Sequence, residues 1–204
     1  MTRTRTAAVT LGALVALWGC GQGQGWVPKG APAGEEPELT LVWVGRGEAE
    51  RLDGGRWTRI PTFDYEFSVE QRRFRDEWIS VKHLRREHPQ YDGSAGPREQ
   101  TMYFRLAFAP TDGEGRVEGQ VSSSLGEGRL VTDAEFRQAA IELGAKVSAF
   151  APFDRFHISQ RYLYEEGRLE ELVELNDGPR PWVRNREAAR LFASQRFAGA
   201  PTRR

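Results

Sequence analysis

The chain of 204 residues has one cysteine, Cys20, and two methionines. Its lysines stand only at Lys29, Lys82 and Lys146 among 29 basic residues. A single thiol excludes an internal disulfide framework. It also excludes a Cys-based structural zinc site, so any metal would need histidine and carboxylate ligands. Basic and acidic residues balance at 29 each, which removes the overall positive field that draws proteins to nucleic acid. No nucleic-acid partner is expected. The apolar run from Ala7 to Gly19 is 13 residues long, short of the about 20 that a spanning helix needs, and no later segment is long and apolar enough to span. There is no Gly-x-x-x-x-Gly-Lys-Ser/Thr loop, no Gly-x-Gly-x-x-Gly after a strand and no Gly-x-Ser-x-Gly elbow. These absences leave no cofactor implied and no catalytic residue assigned, and the expected class is non-enzymatic.

The N-terminus carries chemistry of its own. Arg3 and Arg5 form a short cationic segment without an acid, and the apolar run follows. That length fits the core of a secretory leader. Leu17-Trp18-Gly19-Cys20 then resembles the lipobox of bacterial lipoproteins, in which a small residue precedes the modified cysteine. The resemblance implies a signal peptide over residues 1–19 and a lipidated Cys20 as the first mature residue, held in the bacterial envelope by its acyl (palmitate-type) chains. Gly21, where enterobacterial lipoproteins retained at the inner membrane carry Asp, implies the periplasmic side of the outer membrane. Loss of Arg3 and Arg5 with the leader leaves 27 basic and 29 acidic residues, formally −2.

Residues 20–37 are rich in Gly and Pro and read as a flexible tether after the lipidated cysteine. Residues 38–204 read as a single β-rich domain with a C-terminal helix. Alternation is the main signal. Phe63, Tyr65, Phe67 and Val69 alternate with acids and Ser68; Met102, Phe104, Leu106 and Phe108 share a face; so do Phe156, Ile158, Tyr162 and Tyr164. Leu169, Val173 and Leu175 face one way, Glu170 and Glu174 the other. Leu39 to Val44 is apolar on both faces, as a covered strand would be. Gly-Arg pairs at 55–56, 115–116, 128–129 and 167–168 mark strand starts after tight turns. Two stretches read as helices: Thr132-Asp-Ala-Glu135 has capping-box spacing ahead of Phe136, Ala139, Ala140 and Leu143, and Asn185 would cap a helix carrying Ala188, Leu191 and Phe192. The expected fold is mainly β (α+β): a curved antiparallel sheet or partial β-barrel with one or two packing helices.

Candidate sites are sparse. His83, His88 and His157 lack ligand spacing and read as ordinary surface or half-buried residues. Ser122-Ser-Ser124 reads as a solvated strand end. The carboxylates at Asp64 and Glu66, or at Glu170 and Glu174, read as solvated strand faces. A basic stretch brings Arg72, Arg73, Arg75, Lys82, Arg85 and Arg86 around Trp78. It would contact anions, such as lipopolysaccharide phosphates or lipid headgroups, or a partner, and otherwise serves as a charged strand edge. Trp43, Phe63, Tyr65, Phe67, Phe104, Phe108, Phe156, Tyr162 and Tyr164 would line an apolar cavity or fill a core.

Three functions compete. The first is a membrane-anchored, non-catalytic envelope lipoprotein that binds a partner protein or stabilises an envelope assembly. The second is a carrier of an apolar or lipid ligand in a β-rich cavity. The third is a hydrolase with an unrecognised carboxylate site. A packed centre with an exposed apolar patch points to the first, an enclosed aromatic cavity to the second, and two buried carboxyl groups facing each other in a cleft to the third.

Overall fold

The computed structural model describes residues 36–110, 115–146 and 153–196. The leader, Cys20 and nearly all of the tether lie outside the described residues.

Eleven antiparallel strands follow one another along the chain: β1 (Leu39–Asp53), β2 (Arg56–Arg59), β3 (Tyr65–Arg73), β4 (Glu77–Arg85), β5 (Glu99–Phe108), β6 (Arg116–Ser123), β7 (Gly126–Asp133), β8 (Gln138–Ala145), β9 (Arg155–Leu163), β10 (Arg168–Asp177) and β11 (Arg180–Arg196). Each of β4 to β10 pairs with its neighbours in sequence order, β1 pairs with β3, and β11 returns to pair with β1 from Leu39 opposite Arg196 to Arg51 opposite Val183. The result is a closed ten-stranded meander barrel, with β2 as a short hairpin arm on β1. Closure leaves no long unpaired edge for aggregation.

Alternation decides which side chains enter. Trp43, Phe67, Leu106, Val121, Leu130, Leu143, Ile158 and Tyr162 are all buried in one core inside the barrel. The outward positions carry exposed ion pairs around the circumference, among them Arg46–Glu66, Arg129–Glu142 and Arg168–Glu170. Charges on an outer wall in hydrocarbon would each cost roughly 2–4 kcal/mol at the membrane midplane, so this wall is built to face water. Val42 and Val44 also point outward, and Val44 is exposed. β1 is therefore apolar on two faces without being covered on both.

The packing helices are not there: among the described residues no α-helix occurs, only single 3-10 turns at Pro61–Phe63 and Tyr164–Glu166. Asp133 does act as a cap, but of a tight turn. Its carboxylate accepts from the backbone N–H groups of Glu135, Arg137 and Gln138, and β8 then starts at Gln138. The stretch Ala139-Ala-Ile-Glu-Leu143 has period two as well as a helical stripe, and Ile141 and Leu143 turn inward between β7 and β9. The C-terminal stretch, with five Arg and three Ala among its 17 residues, has good helix formers. It is nevertheless β11, because the open edges of β1 and β10 each offer a full ladder of backbone partners, and tertiary context outweighs propensity. Asn185 lies mid-strand opposite Ala49 and Val173, not at a cap.

Three of the four Gly-Arg pairs do precede strands, and Gly55, Gly115 and Gly167 have the positive φ that such turns need. Gly128 differs. It lies inside β7, where a Cβ would come within 1.8 Å of the Glu142 carbonyl oxygen, so its small size permits a close approach of β7 and β8. The serine run is not a solvated end either. Ser123 is buried, and its hydroxyl accepts from the Leu125 and Gly126 N–H groups while donating to the Gly126 carbonyl.

Candidate site: a polar axis inside the barrel

Strand parity places five polar residues on inward positions: Gln71 and Tyr65 on β3, Lys82 on β4, Gln160 on β9 and Glu171 on β10. Glu187 enters likewise from β11. Burying such groups is costly unless each finds a partner, and here they find one another. Trp43 Nε1 donates to Gln71 Oε1 at 3.2 Å, and Gln71 Nε2 donates to the Tyr162 hydroxyl at 2.7 Å. That hydroxyl donates to Gln160 Oε1 at 3.2 Å, and Gln160 Nε2 donates to Glu171 Oε2 at 2.5 Å. Lys82 Nζ donates to Glu171 Oε1 at 3.0 Å and also to Glu187, whose other oxygen accepts from the Tyr65 hydroxyl at 2.5 Å. The chain of contacts links six strands through the middle of the barrel.

Glu171 and Glu187 are directly opposite each other across the β10–β11 ladder. Like charges in that relation repel, and one lysine from the far wall serves both. The electrostatics follow from this arithmetic of one cation and two acids. Burial drives the Glu187 carboxyl up, and Glu171 beside it adds to the rise, to about 7 despite Lys82 and Tyr65. Burial also penalises the Glu171 carboxylate, but Lys82 and the Gln160 amide outweigh it and hold that group below the usual range. For Lys82 the pull of burial towards neutrality is overcome by the two carboxylates, so the ammonium is kept. Burial, followed by the Glu187 charge, pushes Tyr65 far up, so its hydroxyl stays a donor.

Gly47 makes the Tyr65 contact possible. It lies between Glu187 and Tyr65 in the adjoining ladders, and a Cβ there would fall 2.3 Å from the Tyr65 ring. Gly47→Ala is expected to displace the ring, break the Tyr65–Glu187 bond and cost about 1–3 kcal/mol, the usual range for overpacking. Urea unfolding checks this, and a loss under about 0.5 kcal/mol, the scatter of an ordinary neutral substitution, would mean that the ring has room to move.

Beside Lys82, Glu171 and Glu187 lies a cavity of about 40 Å³, whose apolar walls include Phe67, Phe104, Leu106, Ile141 and Ile158. A water needs roughly 10–15 Å³ of such space, so the cavity suits a few waters and not a lipid chain. A second void of about 10 Å³, under Trp78, Phe108 and Phe136, shares Leu106 and Gln160 with the first.

Each end of the barrel is stoppered by an arginine among aromatic rings. At the end where β3 finishes, the Arg73 guanidinium lies 3.7 Å from the Trp78 ring centroid and its Nη2 donates to the Tyr164 hydroxyl at 2.6 Å. The Phe136 ring closes this end, with centroids 4.7 Å from Trp78 and 4.9 Å from Phe108. Phe136 has φ 55°, the one non-glycine residue with positive φ among the described residues. A bulky side chain there costs about 1–2 kcal/mol. At the other end Arg86 is buried between Tyr65 and Tyr91 and donates to the Pro97 carbonyl at 2.9 Å, while Arg98 donates to the Arg86, His88 and Tyr91 carbonyls and fixes the β4–β5 loop. Among the described residues neither Arg73 nor Arg86 has a carboxylate within 4.0 Å, and the Nε of each is buried without a hydrogen-bond partner.

The basic stretch is thus divided. Arg72, Arg75 and Arg85 are exposed, with Arg72 paired to Glu70 and Arg85 to Glu87. Lys82, Arg86 and Trp78 are buried and Arg73 is half-buried, because even-numbered positions of β4 and odd-numbered positions of β3 point inward. The six cations and Trp78 do not form one surface. Of the nine aromatics, Phe67 and Phe104 border the larger void and Phe108 and Tyr162 the smaller. Trp43 and Tyr65 are buried with their polar atoms in the axis, Phe156 is buried in the core, Phe63 packs on Tyr91 beyond the strand, and Tyr164 stacks on Tyr162. Outside the wall, a groove of about 920 Å³ along β5 to β9 is lined by polar residues such as Arg105, Glu127, Arg129 and Glu142. Among the described residues no group of histidines and acids could hold a metal.

Glu171 and Glu187 are the carboxyl pair absent from the sequence reading. A signal for Glu171 existed: it is in phase with Leu169, Val173 and Leu175, the apolar positions of β10. Reading β11 as a helix removed the corresponding signal for Glu187.

No family model matches the chain, and no curated protein matches it. Among solved structures, the crystal structure of Rv2717c from M. tuberculosis is similar over 74% of this chain and 91% of that one, with 16% identity and a TM-score of 0.46. A chain from Thermobifida fusca YX, named as a candidate thioesterase II, matches over 73% of this chain and 79% of its own, with 14% identity and a TM-score of 0.20. Neither likeness is close enough to carry an argument about activity.

Proposed function

We propose that this is a non-catalytic binding protein of the bacterial envelope, anchored through Cys20, whose barrel takes a small amphipathic ligand into its interior. The observation that carries this reading is the polar axis itself. A barrel that served only as a scaffold would be filled more cheaply by apolar side chains, because a buried ion triad is often less stabilising than its apolar replacement. Here the triad stands beside a void, with apolar walls on one side and donors and acceptors on the other. The voids total only a few waters, so the ligand must displace a side chain or water to enter. An apolar lipid without a polar group does not suit such a centre. The two carboxyl groups themselves are enclosed, with side chains 9% and 3% exposed.

Purification of the full chain in mild detergent, followed by native mass spectrometry, is expected to show a small-molecule adduct that is lost on denaturation. Bare protein from every preparation, together with no uptake of amphipathic probes, would overturn the reading.

A second reading keeps one observation of its own. Phe192 is 78% exposed at the bulge where β11 meets β1, and Val44 is 47% exposed on the same seam. That small apolar patch fits a partner protein, and a stoichiometric protein adduct in the same experiment would favour it.

The anchor has a separate test. Cys20→Ser is expected to abolish fatty-acid labelling and to shift the protein from the detergent phase to the aqueous phase, since acyl chains are its source of membrane affinity. A Ser variant that stays with membranes and still labels would remove the assignment.

A further inference from the structure

We infer that the Arg73 end of the barrel is a binding site for an aromatic carboxylate, and that the Phe136 side chain occupies it as an internal plug. The inference rests on the reading that the barrel takes a ligand inside, and it names where the ligand enters and what chemistry it carries.

Four features meet at this end. The Phe136 ring fills a slot formed by Trp78 and Phe108, which are 5.3 Å apart between centroids. Its backbone is held in the left-handed region by its own loop: the Phe136 N–H donates to the Asp133 carbonyl, and its carbonyl accepts from the Tyr164 hydroxyl at 2.9 Å. A residue kept in a disfavoured conformation by its surroundings is poised to leave it when those contacts change. The small void beneath the ring shares Leu106 and Gln160 with the larger void at Lys82 and Glu171. Displacing the Phe136 ring therefore enlarges a void that adjoins the one beside the polar axis. Finally, the Arg73 guanidinium lies over the Trp78 ring, 3.7 Å from its centroid, with no carboxylate within 4.0 Å among the described residues, and its buried Nε has no acceptor.

These features specify a ligand. The slot takes a flat ring, because the ring it now holds is a phenyl group packed edge-on and tilted against two aromatics. Arg73 Nε has no partner, while Nη2 of the same guanidinium donates to the Tyr164 hydroxyl, and a guanidinium fork matches a planar carboxylate. Entry of such a ligand exchanges one phenyl group for another and gives the arginine the acceptor it lacks.

The experiment uses phenylacetate and its neutral analogue 2-phenylethanol, titrated calorimetrically into the full chain and into Phe136→Gly and Arg73→Gln variants. Glycine suits the backbone conformation at 136, so the first variant removes the plug without adding strain. Phenylacetate is expected to bind Phe136→Gly at least tenfold more tightly than the parent, and to prefer it over 2-phenylethanol by a similar factor. Adding Arg73→Gln should erase that preference and leave 2-phenylethanol affinity unchanged. Equal affinity of both probes for Phe136→Gly would overturn the anion site. No gain in affinity on removing the plug would make Phe136 a core filler. If Phe136→Gly does not fold, the Arg73→Gln variant alone decides, through loss of phenylacetate binding with 2-phenylethanol as control. A native adduct that survives both variants but disappears with Lys82→Met would sink this inference and leave the barrel-binding function standing.

Discussion

Lys82→Met is expected to cost about 3–5 kcal/mol at pH 8, the range for removing one partner of a buried ion cluster. The cation sits between Glu171 and Glu187, and its side chain and that of Glu187 are almost wholly enclosed, at 8% and 3% exposure. Methionine fills similar volume but leaves two cross-strand carboxylates facing each other in a low-dielectric interior. They can then escape only by taking up protons. The cost should therefore shrink at pH 5, where protonation is cheaper. Urea unfolding at the two pH values measures both effects. Replacing all three charged residues by apolar ones should recover much of the lost stability, because the desolvation penalty disappears with the charges. A loss below about 1 kcal/mol for Lys82→Met at pH 8, the level of an exposed ion pair, would show that water reaches the cluster.

Glu187→Gln should remove a slope in the pH dependence of stability. The folded protein holds the Glu187 proton up to about pH 7, whereas the unfolded chain releases it near 4.5. Between those values the native state binds more protons than the unfolded state, so stability falls as pH rises. The contribution is fully present below 4.5, declines by roughly 1.4 kcal/mol per pH unit, and is gone above about 7, a total near 3 kcal/mol. Glu171, held low, works in the opposite sense: its contribution is present above 4.5 and lost as pH falls further. Glutamine imitates the protonated acid and can still accept from Lys82. The variant should match the parent near pH 4.5 and exceed it by up to about 3 kcal/mol at pH 8. Parallel stability curves for the two proteins from pH 4.5 to 8 would contradict the assignment of the raised carboxyl to Glu187.

Parity explains why the polar axis was half legible. In β3 the run Tyr65, Phe67, Val69 fixes the inward face, and Gln71 continues it; in β9 Ile158 and Tyr162 bracket Gln160 in the same way. A polar residue on an apolar parity is a visible anomaly in any strand. Lys82 shows it too, in phase with Trp78 and Leu84, although in sequence it stands close to Arg85 and Arg86 in one basic stretch. Sequence proximity misled there because successive strand residues point to opposite faces. Arg72 and Arg85 went outward, Arg73 and Arg86 inward.

Composition and alternation determined the antiparallel β architecture, the turns at Gly55, Gly115 and Gly167, and most of the inward faces, because side-chain period and glycine conformations are local properties. Only the tertiary structure decided the rest. Whether residues 138–145 and 180–196 became helix or strand depended on partners far away in sequence, since a strand gains its hydrogen bonds only from neighbours that the barrel supplies. Closure of β11 on β1 brought Glu187 within reach of Lys82, 105 residues earlier. The shared lysine, the raised carboxyl and the arginines with unpartnered Nε atoms all exist because a closed barrel forces ten inward faces into one enclosed space, where charge must be balanced by whatever side chain stands opposite.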